Sequence, residues 1–137
     1  MGEPSVTHLS QEQARDLASL AERARGELSR LSGREVSYSS SAVQLLDEWL
    51  DDYLERVADP PIPVRLLWTS FLGEVFRRRL DGWWALRDGK LIIVCPAGEG
   101  GFRGVAVREQ IDRRIALGMA ESVSYFYNAT CIQLKVG

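Results

Sequence analysis

The sequence predicts a mostly helical α+β fold, in which an N-terminal helical hairpin and a core helix pack with a small antiparallel sheet built on an Asp-Gly hairpin. Three observations carry that prediction. Apolar residues recur at steps of three and four through residues 14–31 and again through 43–57, the period of a helix with one buried face. Residues 83–87 and 90–95 are two β-prone runs separated only by Asp88-Gly89, the spacing of a two-residue hairpin. The chain has 137 residues, 45% hydrophobic and 26% charged, enough to bury a core without disulfides or a metal.

Residues 1–9 carry the only histidine, His8, in a Pro- and Ser-containing stretch that reads as a flexible terminal segment; residues 10–137 read as a single α+β domain. Ser10 and Gln13 have the spacing of a capping box, in which hydroxyl and amide satisfy each other's backbone N–H groups. The helix they open has the seam Ala14, Leu17, Ala21, Ala24, Leu28 and Leu31 and ends at Gly33. Ser39–Ser41 supply a cap for a second helix with the matching seam Val43, Leu46, Leu50, Tyr53 and Val57. Two such seams across a short connector predict that the first helix packs on the second, with a homodimer through these N-terminal helices as an extension. Asp47, Asp51 and Glu55 fall at intervals of four and are expected on a solvated outer face, with Asp52 and Arg56 paired beside them.

Pro60, Pro61 and Pro63 end the second helix and begin a third, which reaches about Leu80. It places Leu67, Phe71, Leu72, Val75 and Phe76 on a broad core face flanked by Trp68, and Gly73 leaves room for another backbone to pack closely. After the Asp88-Gly89 hairpin, Gly98–Gly101 form a loop without the spacing of a phosphate-binding motif. A helix over about 107–117 follows, closed by Gly118. Residues 121–134 fit two patterns: Val123, Tyr127 and Cys131 as a helix face, or the alternation from Val123 to Cys131 as a strand. The helix is preferred.

Charge and composition narrow the function classes. Residues 1–63 hold 12 acids against 6 bases and residues 64–137 hold 7 acids against 11 bases, so the halves attract, while the net charge of -2 argues against general nucleic-acid binding. No run approaches the ~20 apolar residues of a membrane span and no secretory signal opens the chain, so the expected compartment is the cytoplasm. Cys95 and Cys131 lack a Cys-x-x-Cys spacing, and with one histidine no metal site and no cofactor is expected. The same shortage removes Ser-His-Asp and Cys-His catalysis, which need a base beside the nucleophile.

Glu74 is the acid to examine first. It lies inside the most apolar helix, four residues before Arg78, the order that favours an intrahelical pair, and a structural pairing with Arg78 or the hairpin is expected. Trp83 and Trp84 are adjacent in a strand and must point to opposite faces, so one of them reaches a surface or a cleft. Glu74, Arg78, Trp84 and Arg103 are therefore the candidate ligand-binding residues. The run Phe71-Leu72-Gly73-Glu74-Val75-Phe76-Arg77-Arg78, then Gly82-Trp83, a hairpin, a proline and a helix ending in glycine resembles an uncharacterised bacterial family known as a domain of unknown function, over roughly residues 66–126. The resemblance implies that Gly73, Glu74, Gly82 and Trp83 belong to a shared structural signature, and it implies no activity. Asp81-Gly82 stands here where such sequences often have Gly-Gly. The reading that follows is a small non-catalytic protein-interaction or regulatory module, with a small anionic-ligand-binding protein, weakly enzymatic or not, as the alternative.

Overall fold

A computed structural model of the chain describes residues 6–98 and 100–136. In chain order the elements are β1 (Val6–His8), α1 (Gln11–Ser32), α2 (Ser40–Arg56), α3 (Ile62–Leu80), β2 (Trp83–Arg87), β3 (Lys90–Pro96), β4 (Phe102–Val105), α4 (Val107–Leu117) and α5 (Val123–Val136), with a short 3-10 turn over Gly118–Glu121 before the last helix. This is the mostly helical α+β arrangement, and residues 121–134 fall on the helical side of the two readings. The four strands form one antiparallel sheet in the order β1-β2-β3-β4.

The local signals act where the sequence places them. Ser10 and Gln13 form the full capping box of α1, and Gly33 closes that helix with φ 74°, a left-handed conformation that costs glycine nothing. The Ser39 hydroxyl accepts from the Ala42 N–H at the start of α2. Asp88 and Gly89 take φ 53° and 80°, the two positive values of a type I' turn. At the end of α3 it is Asp81 that turns left-handed, and the glycine after it serves a different need: a Cβ on Gly82 would stand 2.6 Å from Ile93 Cγ2.

Four expectations are corrected by tertiary contacts. Val6–His8, placed by the sequence in the flexible segment, form the edge strand β1, pairing with Ala85–Arg87; a three-residue strand carries too little alternation to be legible, and the open edge of β2 supplies its partner. Residues 1–5 of that segment lie outside the described residues. The seam of α1 is buried at Leu17, Ala21, Ala24 and Leu28 as its period requires, yet α1 rests chiefly on α3 and only secondarily on α2, so the helix read as packing on the second helix is covered mainly by the core helix. Helix α2 instead packs chiefly on α5. Trp68, expected at the flank, is fully enclosed, with Trp49 and Tyr53 meeting it edge-on at 6.0 and 5.2 Å.

The fourth correction is Asp47, which is buried rather than on a solvated face. Its Oδ1 accepts from the Arg114 Nε–H at 2.9 Å and the Val123 N–H at 3.0 Å; its Oδ2 accepts from the Ser122 hydroxyl at 2.8 Å and the Ser124 N–H at 2.9 Å. Ser122 Oγ in turn accepts from the Tyr125 N–H. The opening N–H groups of α5 are thus satisfied by a carboxylate from another helix, the sign that the positive end of a helix favours. Arg114 is itself buried and also donates to Asp51, so the attraction between the acidic and basic halves of the chain is realised in the interior at this guanidinium, and at the Arg65–Asp59 pair nearer the surface. The pair Asp52–Arg56 forms on the surface as expected.

Candidate functional site

Three of the four residues singled out by the sequence, Glu74, Arg78 and Trp84, converge at the C-terminal end of α3, where it meets β2. Glu74 is fully buried and accepts four hydrogen bonds: from Arg77 Nε–H and Nη2–H at 2.7 and 2.9 Å, from Arg78 Nε–H at 3.0 Å, and from Trp84 Nε1–H at 2.9 Å. Arg78 is the partner expected at i+4; Arg77 at i+3 adds a two-pronged grip that the same helical geometry allows. Burial pushes the Glu74 carboxyl up, but the hydrogen bonds from Arg77, Trp84 and Arg78 together outweigh it and hold the group below the usual carboxylate range. The indole reaches Glu74 because Gly73 has no side chain: a Cβ there would overlap the six-membered ring of Trp84. Gly73 therefore admits a tryptophan ring, where the sequence suggested a second backbone.

Around this anchor the charge is ordered outward. The Arg78 guanidinium lies 4.0 Å above the ring centre of Tyr38, whose hydroxyl donates to Glu22, and Glu22 is gripped by Arg25. The cluster ties the α1–α2 connector to the core helix. Arg103 is not part of it. It is exposed on β4, two strands from Trp84, and makes no hydrogen bond or ion pair with Glu74, Arg78 or Trp84. A glycine-loop neighbour in sequence is thus placed at the far edge of the sheet.

Beside the anchor a cleft of about 510 Å³ runs between the end of β1, the first turns of α1 and the junction of α3 with β2. His8, Arg15 and Arg77 line it together with Ala14, Ala18, Gly82, Trp83 and Trp84. Sequence reasoning found neither His8 nor Arg15. Their only shared signal is proximity to the α1 cap, and the strand that carries His8 to Trp83, 5.8 Å between ring centres, was not legible.

The sheet has a second feature of functional weight. The helices cover the face that bears Trp84, Ile93, Cys95 and Val105, all of which join the main core. Alternation puts Trp83, Ala85, Ile92, Val94 and Phe102 on the opposite face, and none of these belongs to that core. Trp83 meets His8 at a tilt and Phe102 edge-on, the latter 5.2 Å away, while Phe102 remains 65% and Val6 47% exposed. Ala85 and Ile92 of this face are nonetheless buried, while Trp83 and Val94 are half-buried. Its strand charges are Arg87 and Lys90, both basic.

Of the two cysteines, Cys131 is half-buried and Cys95 is enclosed. Cys95 is a free thiol whose burial pushes its pKa up to about 12, and the described residues contain no group of three or more His, Cys, Asp or Glu able to hold a metal ion. No helix among the described residues is long and apolar enough to cross a membrane. Comparison with protein-family models, with curated proteins and with solved structures finds no match for the chain.

Proposed function

We propose that this protein is a non-catalytic protein-interaction module that docks its partner on the face of the sheet turned away from the helices. The observation that carries the reading is the composition of that face. A sheet covered on one side normally turns polar residues outward, and here the half-buried Trp83 and Val94 and the exposed Phe102 stand in their place. The ionised side chains on the same strands' outward positions are Arg87 and Lys90, so two copies pairing face to face would bring like charges together. The partner that fits is a different protein presenting apolar side chains ringed by carboxylates. The absence of any catalytic role for Glu74 supports the same reading: its carboxylate is saturated by four donors within the chain.

A photo-reactive phenylalanine analogue placed at position 102, with a second placed at the exposed Glu55 of α2 as the control, tests the proposal in the native cell. One dominant heterologous adduct is expected from position 102 and not from position 55. The purified adduct partner should then bind the unmodified chain and lose that binding with Phe102→Asp. Equal adducts from the two positions, or an adduct from 102 consisting of a second copy of this chain, would overturn it.

A further inference from the structure

The geometry points to a second binding site, which shares His8 and Trp83 with the sheet face: the cleft between β1, the start of α1 and the α3–β2 junction takes a small organic anion, a carboxylate or phosphate head group on a flat apolar body. The head group is specified by the donors. The cleft is lined by three basic side chains, His8, Arg15 and Arg77, and by no acidic one. Arg77 is held in place by a buried anchor, since Glu74 engages its Nε and Nη2 and leaves Nη1 without an acceptor among the described residues. Because the single carboxylate of Glu74 is shared by two guanidiniums, the anchor is left with an excess positive charge beside the cleft. A guanidinium fixed along one edge loses little freedom when its remaining N–H groups meet a carboxylate or phosphate oxygen.

The backbone adds to this field. The α1 capping box occupies the Ser10 and Gln13 N–H groups, and those of Gln11 and Glu12, the next residues of the first turn, have no acceptor among the described residues. β1 pairs only with Ala85–Arg87, so the edge of β2 is uncovered at Trp83 and Trp84; along an antiparallel strand successive residues turn their N–H and C=O to opposite sides, and one of these two residues faces the cleft side.

The body is specified by the rest of the lining. Ala14, Ala18 and Gly82 are small and leave room beside the half-buried Trp83, while Trp84 is buried behind it, so the cleft offers a flat apolar ligand both space and aromatic contact that an inorganic ion would leave unused.

Nuclear magnetic resonance titration of the full chain tests the assignment with four probes: phenylacetate, phenyl phosphate, neutral phenylacetamide and inorganic phosphate. The two aromatic anions are expected to shift the indole Nε1–H signals of Trp83 and Trp84 and the amides of Gln11 and Glu12, saturating at millimolar concentration. The tighter of the two identifies the head group. Arg15 is exposed and pairs with no group among the described residues, so Arg15→Glu leaves the spectrum dispersed while weakening the aromatic anions about tenfold, and Arg15→Lys retains binding. Phenylacetamide binding as tightly as phenylacetate would remove the anionic head group from the proposal. Inorganic phosphate binding as tightly as phenyl phosphate would remove the apolar body. No shift at these four residues with either aromatic anion would remove the site.

Discussion

Replacing Glu74 by glutamine isolates the electrostatics of the anchor, because the side chain keeps its length and shape while one acceptor oxygen becomes a donor. The carboxylate accepts from Arg77 and Trp84 on one oxygen and from Arg77 and Arg78 on the other. A glutamine with its carbonyl toward the indole turns its amide hydrogens against the guanidiniums; flipped, it turns them against the buried indole N–H. One donor–donor conflict survives either way. Arg77 and Arg78 are 37% and 41% exposed and can turn to water, which removes most of their share of the loss. What remains is an unmet donor in a fully buried site and the loss of charge assistance, together about 2–3 kcal/mol. Urea unfolding followed by tryptophan fluorescence measures it, with an unchanged slope against denaturant as the sign that the folded state is intact. Trp84→Phe in a double-mutant cycle should show a coupling to Glu74 of about 1 kcal/mol, since the two residues share one hydrogen bond. Unchanged or increased stability of Glu74→Gln would refute the reasoning, because the carboxylate would then be a group the fold does not need.

Three further outcomes follow from the same geometry. Gly73→Ala should destabilise by about 2 kcal/mol despite the better helix propensity of alanine, as the added methyl displaces the Trp84 ring; thermal unfolding that shows a gain instead would mean the ring moves freely. Asp47→Asn should cost about 2–4 kcal/mol, since it weakens the grip on Arg114 and on the first N–H groups of α5, and hydrogen exchange should show α5 opening before α3. Stability should fall on acidification below the ordinary glutamate range. Glu22, held down to about 2 by its hydrogen bonds from Arg25 and Tyr38, and Glu74, held below its ordinary value, both have folded pKa values under their unfolded ones, so the stability they contribute is present above about 4.5 and is lost as pH falls through the folded values. Urea midpoints measured from neutral pH downward check this, and in Glu22→Gln the decline between pH 4.5 and about 2 should be shallower.

By itself the sequence determined whatever depends on neighbours within a few residues. The capping box of α1, the Gly33 stop, the Asp88-Gly89 turn, the buried stripe Leu17–Ala21–Ala24–Leu28 and the Glu74–Arg78 pair are local geometries, set by one helical turn or one hairpin, and each is present. The sequence also marked Glu74, Arg78 and Trp84 as belonging together. Tertiary structure decided which apolar stripe meets which. A stripe of leucine and alanine specifies burial but no partner, so α1 could lie on α2 or on α3, and the broad surface of the core helix took it. It decided the fate of the acids as well: Asp47 carries the same charge and spacing as Asp51, and only the approach of Arg114 and the start of α5, more than 60 residues away, makes one of them the buried cap of another helix. The cleft depended on it most, because His8, Arg15 and Arg77 are brought to one place by a three-residue edge strand whose partner is chosen across the fold, and directional charge recognition leaves no periodic trace in a chain.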